Sequence, residues 1–216
     1  MKSILIISPH PDDAILGCGG TIIKETRNKK QVYIVYLTDG RACYEVTGIK
    51  SELTLEQIAE KRKKEAIDSS RKLGVPIKNL FFFEIWDQKL KEPKNFSKAL
   101  LELKKLLHKI KPFRIFGPVF KNRHPDHQAT HDIILEALKE FPDIEFYMYG
   151  LQKSIGKSDL KIDISDVREQ KAEAMFLHEI EQAYEKEIYE ILALQKKERF
   201  RCPRRKALPK DHRSRI

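Results

Sequence analysis

Residues 3–22 read "SILIISPHPDDAILGCGGTI". The continuous apolar run at 3–8 reads as a strand buried on both faces, and residues 14 to about 28 as the helix that follows it. Between them stand His10, Asp12 and Asp13. One histidine at a strand end is ordinary. Two adjacent carboxylates in a partly dry turn repel each other and need a compensating charge.

The same alternation runs along the chain. Strands are expected at 31–38 ("QVYIVYLT"), 79–85 ("NLFFFEI"), 113–118 ("FRIFGP"), 145–151 ("EFYMYGL") and 160–164 ("LKIDI"). Helices are expected at about 54–73, 93–110, 127–140, 166–177 and 182–200. The helix at 54–73 has Thr54 as N-cap, Glu56 and Gln57 in its first turn, and a stop at Gly74. Strands that alternate with helices imply parallel pairing and right-handed crossovers. The expected fold class is therefore α/β: three-layer, Rossmann-like, a mainly parallel sheet with helices on both faces. Ligands of such sheets bind beyond the carboxyl ends of the strands, where strand order reverses.

With 216 residues, 41% hydrophobic and 34% charged, the chain fits one domain of the larger sort. Nothing interrupts 1–195, which we read as a single domain. No window is apolar enough to cross a bilayer, and the opening "MKSILIISPHPDD" has too short an apolar run for a signal peptide. A cytoplasmic protein is expected. Cys18, Cys43 and Cys202 are scattered and odd in number, so neither a disulfide framework nor a CxxC metal site is present.

The net charge of +10 is unevenly placed. Residues 195–216 hold ten Lys and Arg against Glu198 and Asp211, which leaves +2 for the other 194 residues. Residues 196–216 thus read as a basic C-terminal tail, solvated or disordered, able to attach weakly to an anionic partner. No interleaved aromatic pattern points to specific nucleic-acid recognition.

A second turn resembles the first. After "FRIFGPVF" comes "KNRHPDHQATH" (121–131), so His124-Pro125-Asp126-His127 follows a buried strand as His10-Pro11-Asp12-Asp13 does. In a parallel sheet both turns reach one edge. His10, Asp13 and His127 make the two-His, one-carboxylate set of a catalytic zinc, with a fourth position for water. The same set suits iron(II), although its usual antiparallel framework and its lack of need for Asp12 favour zinc. Asp12 is placed to act as general base on that water, and His124, oriented by Asp126, to stabilise an oxyanion or protonate a leaving amine. Such equipment hydrolyses amides. By contrast, "GCGG" lacks the GxGxxG spacing of a dinucleotide cradle.

These residues resemble the PIG-L/LmbE-like family of zinc-dependent N-acetylglucosaminide deacetylases. Support comes from "SPHPDDAILGCGGTI", "HPDHQATH", "YLTDG" (36–40), Arg62 to Glu65 with "KLGV" (72–75), and "DISDVREQKAEAMFLHEIEQ" (163–182). The resemblance spans roughly residues 1–195. It implies His10, Asp13 and His127 as metal ligands, Asp12 as base, and His124 as stabiliser and proton donor with Asp126 orienting it. It further implies that Arg62 holds sugar hydroxyls and that Asp87 is a second sugar contact, with Tyr44 and Trp86 as candidates to stack on a sugar. The implied substrate is a small N-acylated sugar, with oligomerisation open. One departure is Ala14, where the family usually has Glu.

Two alternatives remain on sequence grounds. A non-catalytic member of the fold would hold an anionic ligand or nucleic acid through its basic tail. A phosphate-ester hydrolase would use the same metal, but it lacks an Arg/Gly-rich loop beside it.

Overall fold

The computed structural model describes residues 2–120, 124–150, 155 and 157–203. The elements run β1 (Ser3–Ser8), α1 (Asp13–Arg27), β2 (Gln31–Thr38), α2 (Cys43–Thr47), α3 (Leu55–Lys72), β3 (Leu80–Ile85), α4 (Pro93–Ile110), β4 (Arg114–Pro118), α5 (Pro125–Ala137) and β5 (Glu145–Tyr149). They continue as β6 (Leu160–Asp163), α6 (Arg168–Met175), α7 (Glu179–Ala193) and β7 (Lys197–Phe200).

Five strands form one parallel sheet in the order β3-β2-β1-β4-β5. Strand β1 is central and wholly buried, because its residues alternate between two cores. Ile4 and Ile6 face one side with Tyr36 and Phe116, under residues of α1, α3, α6 and α7. Leu5 and Ile7 face the other side with Val35 and Ile115, under α4 and α5. The three-layer α/β expectation is met. Order reverses between β1 and β4, whose register pairs Ile4 with Arg114 and Ile6 with Phe116. The two HPD turns therefore leave the sheet at the switch point, on the same edge.

Local chemistry sets the element ends. Thr54 caps α3 through a capping box with Gln57, and Gly74 follows in the left-handed region (φ 88°). The "GCGG" glycines serve packing. A Cβ at Gly17 would strike the ring of Tyr149, and one at Gly20 would strike Ile164. Among the described residues no helix is long and apolar enough to cross a membrane.

Two expectations fail near the C-terminus. The helix expected over 182–200 ends at Ala193, and 197–200 form β7, antiparallel to β6 in a separate two-stranded sheet. The "LKIDI" strand thus lies outside the main sheet. "KERF" buries its second and fourth residues, a strand period hidden in sequence because one of the buried residues is Glu198. The stretch drawn as a tail from 196 accordingly begins inside the folded body, and residues 204–216 lie outside the described residues.

Glu198 is held by a buried knot of donors. Its carboxylate accepts from the amides of Gly20 and Thr21 at 2.8 Å each, from Thr21 Oγ1 at 2.6 Å and from Lys171 Nζ at 2.7 Å. Lys171 Nζ also donates to the Leu16 carbonyl at 3.0 Å. Both side chains are almost wholly buried. One ion pair therefore ties α1, α6 and β7 together. Beyond it, Arg201 exchanges two backbone hydrogen bonds with Met148 at the edge of β5.

Candidate metal and catalytic site

The first turn is organised by Ser8. Its hydroxyl donates to the His10 carbonyl at 2.7 Å and accepts from the Ala14 amide at 2.9 Å, which fixes the corner between β1 and α1. Asp13, in the first turn of α1, accepts from the His10 amide at 3.0 Å. The second turn is organised by His124, the N-cap of α5, whose Nδ1 accepts from the Asp126 amide at 3.3 Å ahead of Pro125 at the first helical position.

These turns bring three donor atoms together. His10 Nδ1 lies 3.0 Å from Asp13 Oδ2, His127 Nε2 lies 3.1 Å from the same oxygen, and the two histidine nitrogens are 3.2 Å apart. Atoms so spaced share a point about 2.0–2.2 Å from each, the ordinary ligand distance for zinc. The electrostatics ask for a cation at that point. Burial alone would lower His10, but the carboxylates of Asp87, Asp126 and Asp13 override it and hold the imidazole well above its usual range. Burial would raise Asp13, yet His127 and His10 hold its carboxyl well below the usual value. Two nitrogens and one carboxylate in a ring of further carboxylates fit a divalent metal.

Asp12 points to the other side. Its Oδ1 accepts from Arg62 Nη2 at 3.0 Å, and Tyr189 Oη approaches Oδ2 at 3.5 Å. Burial and the neighbouring Glu181 push the Asp12 carboxyl up to about 6, against the pull of Arg62. Arg62 borders the cavity but was expected on sugar hydroxyls. Its guanidinium is instead committed to Asp12, to the Gly40 carbonyl at 2.7 Å and to an ion pair with Glu181. At 3% exposure it is a positioning group.

Asp87 and Asp126 also differ from expectation. Asp87 Oδ1 sits 3.2 Å from His10 Nε2, the ring nitrogen opposite the one that faces Asp13 and His127. Asp126, expected to orient His124, directs its fully buried carboxylate to the amides of Gln88 (2.7 Å) and Leu90 (3.2 Å), with Oδ2 3.5 Å from His10 Nε2. The helix geometry of α5 explains this: the 124–126 contact runs through the backbone amide. His124 is not a standing cation. Burial, reinforced by His10 and His127, pushes it down to about 4, and its Nδ1 is already an acceptor. Its Nε2 lies 2.7 Å from Nε2 of the Gln88 carboxamide.

Sequence reading missed Gln88 and Glu181. Gln88 sits in the left-handed region (φ 67°), pinned by the hydrogen bond that its backbone amide donates to Asp126. Nothing in its sequence neighbourhood marks it. Glu181, on α7, is the carboxylate beside Arg62 in a chain with Ala14 in the core. Its only signal was its place in the 163–182 match. Tyr44 packs edge-on against Tyr184, and half-exposed Trp86 stacks under Arg41 at 4.2 Å. His131 is structural, with Nδ1 3.1 Å from the Pro118 carbonyl. His10, Asp13, His127, Asp12, Arg62, Asp87 and His124 all line one cavity of about 270 Å³, which Glu185 also lines where α7 bends.

Residues 5–138 match the family model described as PIG-L, GlcNAc-PI de-N-acetylase. The chain belongs to this family. PIG-L relatives include diacetylchitobiose deacetylase of Thermococcus kodakarensis, 29% identical over 83% of this chain and 70% of that one. A probable N-acetyl-alpha-D-glucosaminyl L-malate deacetylase 2 of Bacillus anthracis is 25% identical over 82% of this chain and 80% of its own. Among solved structures, N,N'-diacetylchitobiose deacetylase from Pyrococcus horikoshii superposes with a TM-score of 0.73 at 27% identity, covering 93% of this chain and 83% of that chain. The PIG-L chain described here is thus a deacetylase-family hydrolase, with its two HPD turns at the sheet's switch point.

Proposed function

We propose that this chain removes the acetyl group from an N-acetylglucosamine-type sugar or conjugate, releasing acetate and a free amino sugar. The observation that carries the reading is the convergence of His10 Nδ1, Asp13 Oδ2 and His127 Nε2 within 3.0–3.2 Å, with the adjacent Asp12 turned to Arg62. In this reading those three hold zinc, which when bound polarises the amide carbonyl and acidifies water. Asp12 takes the proton of the attacking water, held in line by Arg62. His124, with Nδ1 taken by the Asp126 amide, carries its proton on Nε2 and offers it to the oxyanion as a neutral donor once substrate displaces the Gln88 carboxamide from that nitrogen. Since a neutral ring in that tautomer is a poor acid, Asp12 returns its proton to the departing amine.

Family membership, the deacetylase relatives and a cavity lined by the whole set support this reading. Acetate release by zinc-loaded protein from diacetylchitobiose and from N-acetylglucosaminyl malate tests it. Release that disappears on chelation and returns with zinc is expected. No release from either, by folded and metal-loaded protein, overturns it.

The Asp87–His10 contact yields a separate expectation. A carboxylate behind a ligand imidazole fixes its orientation and raises its basicity, and its loss typically costs 10–100-fold in metal affinity. Asp87→Asn should therefore weaken zinc binding about 10–100-fold in a chelator competition. A direct sugar contact, the role expected from sequence, would instead raise KM and leave metal affinity alone.

A further inference from the structure

The catalytic cavity has a neighbour. Leu16, Gly17 and Gly150 border both it and a second cavity, also of about 270 Å³, whose remaining wall includes Lys196, Lys197 and Arg199. Gly17 is four positions beyond Asp13 on α1, about 6 Å along the helix axis at 1.5 Å per residue. The second cavity thus begins one helical turn from a metal ligand, a span comparable to a sugar ring.

Its charge is one-sided. Strand β7 alternates, so Lys197 and Arg199 are exposed while Glu198 and Phe200 turn inward. Glu198 is the one acidic residue of the lining, and its carboxylate is already saturated by Lys171, Thr21 and two backbone amides. Among the described residues Lys196, Lys197 and Arg199 make no ion pair. Lys197 has one acidic neighbour in register, Asp163 on β6, whose carboxylate is outside the cavity lining. Three cations in the wall of a concave site, with the lining carboxylate neutralised, concentrate positive potential there.

We infer that this second cavity is a subsite for an anionic group, a carboxylate or phosphate, carried by the part of the substrate that projects from the sugar away from its acetamide. This rests on the proposed deacetylase reading for the position of the sugar. Lys196, Lys197 and Arg199 then set substrate choice, favouring acidic conjugates over neutral disaccharides. The cations are exposed, so their contribution is salt-sensitive.

Binding of deacetylated products, which needs no turnover, provides the test. Calorimetry on zinc-loaded protein compares glucosaminyl malate, glucosamine 1-phosphate and the neutral glucosaminyl-N-acetylglucosamine. At least one acidic ligand should bind about tenfold tighter than the neutral one, a difference of about 1.4 kcal/mol. Which acid is preferred identifies carboxylate or phosphate as the group recognised. In the double variant K197E/R199E that ratio should collapse to near unity, and in wild-type protein it should shrink as salt rises. A ratio below threefold for both acids, or one that survives in a double variant with unchanged Tm, overturns the subsite. Its survival would place the anion at the metal instead. Absence of acetate release from every substrate would strike the deacetylase reading without affecting these binding ratios.

Discussion

Asp12→Asn is expected to lower kcat for acetate release by about 10²- to 10⁴-fold, the range that a positioned general base contributes. The same variant should keep its zinc, because Asp12 does not share the ligand triangle of His10, Asp13 and His127. The physical ground is the division of labour between adjacent carboxylates. Asp13 lies between two histidines and is held well below the usual carboxylate range, as a ligand must be. Asp12 is buried next to Glu181 and pushed up to about 6, so it both accepts and returns a proton near neutral pH. Asparagine preserves the shape and the contact with Arg62 but has no proton affinity to offer. Zinc content by elemental analysis and kcat by acetate assay check the two halves separately. Full activity would remove Asp12 from the base role, whereas loss of zinc would show that the two aspartates are not functionally separate.

Lys171→Met should cost about 3–5 kcal/mol of folding stability, the usual result of breaking one partner out of a buried ion pair. Lys171 and Glu198 are almost wholly buried. Removing the ammonium strands a carboxylate in the core, although the amides of Gly20 and Thr21 and the Thr21 hydroxyl still support it. Those three donors place the expected loss at the lower end of the range. Adding Glu198→Gln should recover part of it, because the stranded charge, rather than lost attraction, dominates the penalty. Urea unfolding of the two single variants and the double variant measures this coupling. A loss below about 1 kcal/mol for Lys171→Met would mean that the backbone donors alone carry Glu198.

The contrast between the two halves of the chain explains how much was legible beforehand. From Ser3 to Ala137 the periodicity is strong and the charges are where solvent or chemistry needs them. Elements there were anticipated to within a few residues, and so was the convergence of the two HPD turns. The short helix α2 was missed, as five residues carry little periodic signal. Beyond residue 160 the pattern misleads, because β7 buries a glutamate. An inward-facing charge imitates a solvent-facing one until its partner, Lys171 from another helix, is in place.

The site divides in the same way. The convergence of His10, Asp13 and His127 beside Asp12 was readable because both HPD turns directly follow buried strands that lie side by side in the parallel sheet. The contacts of Arg62, Asp87, Asp126 and His124 were not. Each depends on what lies against it in three dimensions: Glu181 and Gly40 for Arg62, His10 for Asp87, the Gln88 and Leu90 amides for Asp126, and burial for His124.

By itself, then, the sequence determined the α/β class and the sheet edge at which the two HPD turns bring His10, Asp12, Asp13 and His127 together. Those follow from hydrophobic period and from the donor atoms a reaction requires, which are local properties of the chain. Only the tertiary structure decided which carboxylate faces a histidine, which arginine holds Asp12, and where β7 lays its lysines and arginine beside the cavity. Hydrogen-bond direction and burial arise between segments remote in sequence, and no local pattern records them.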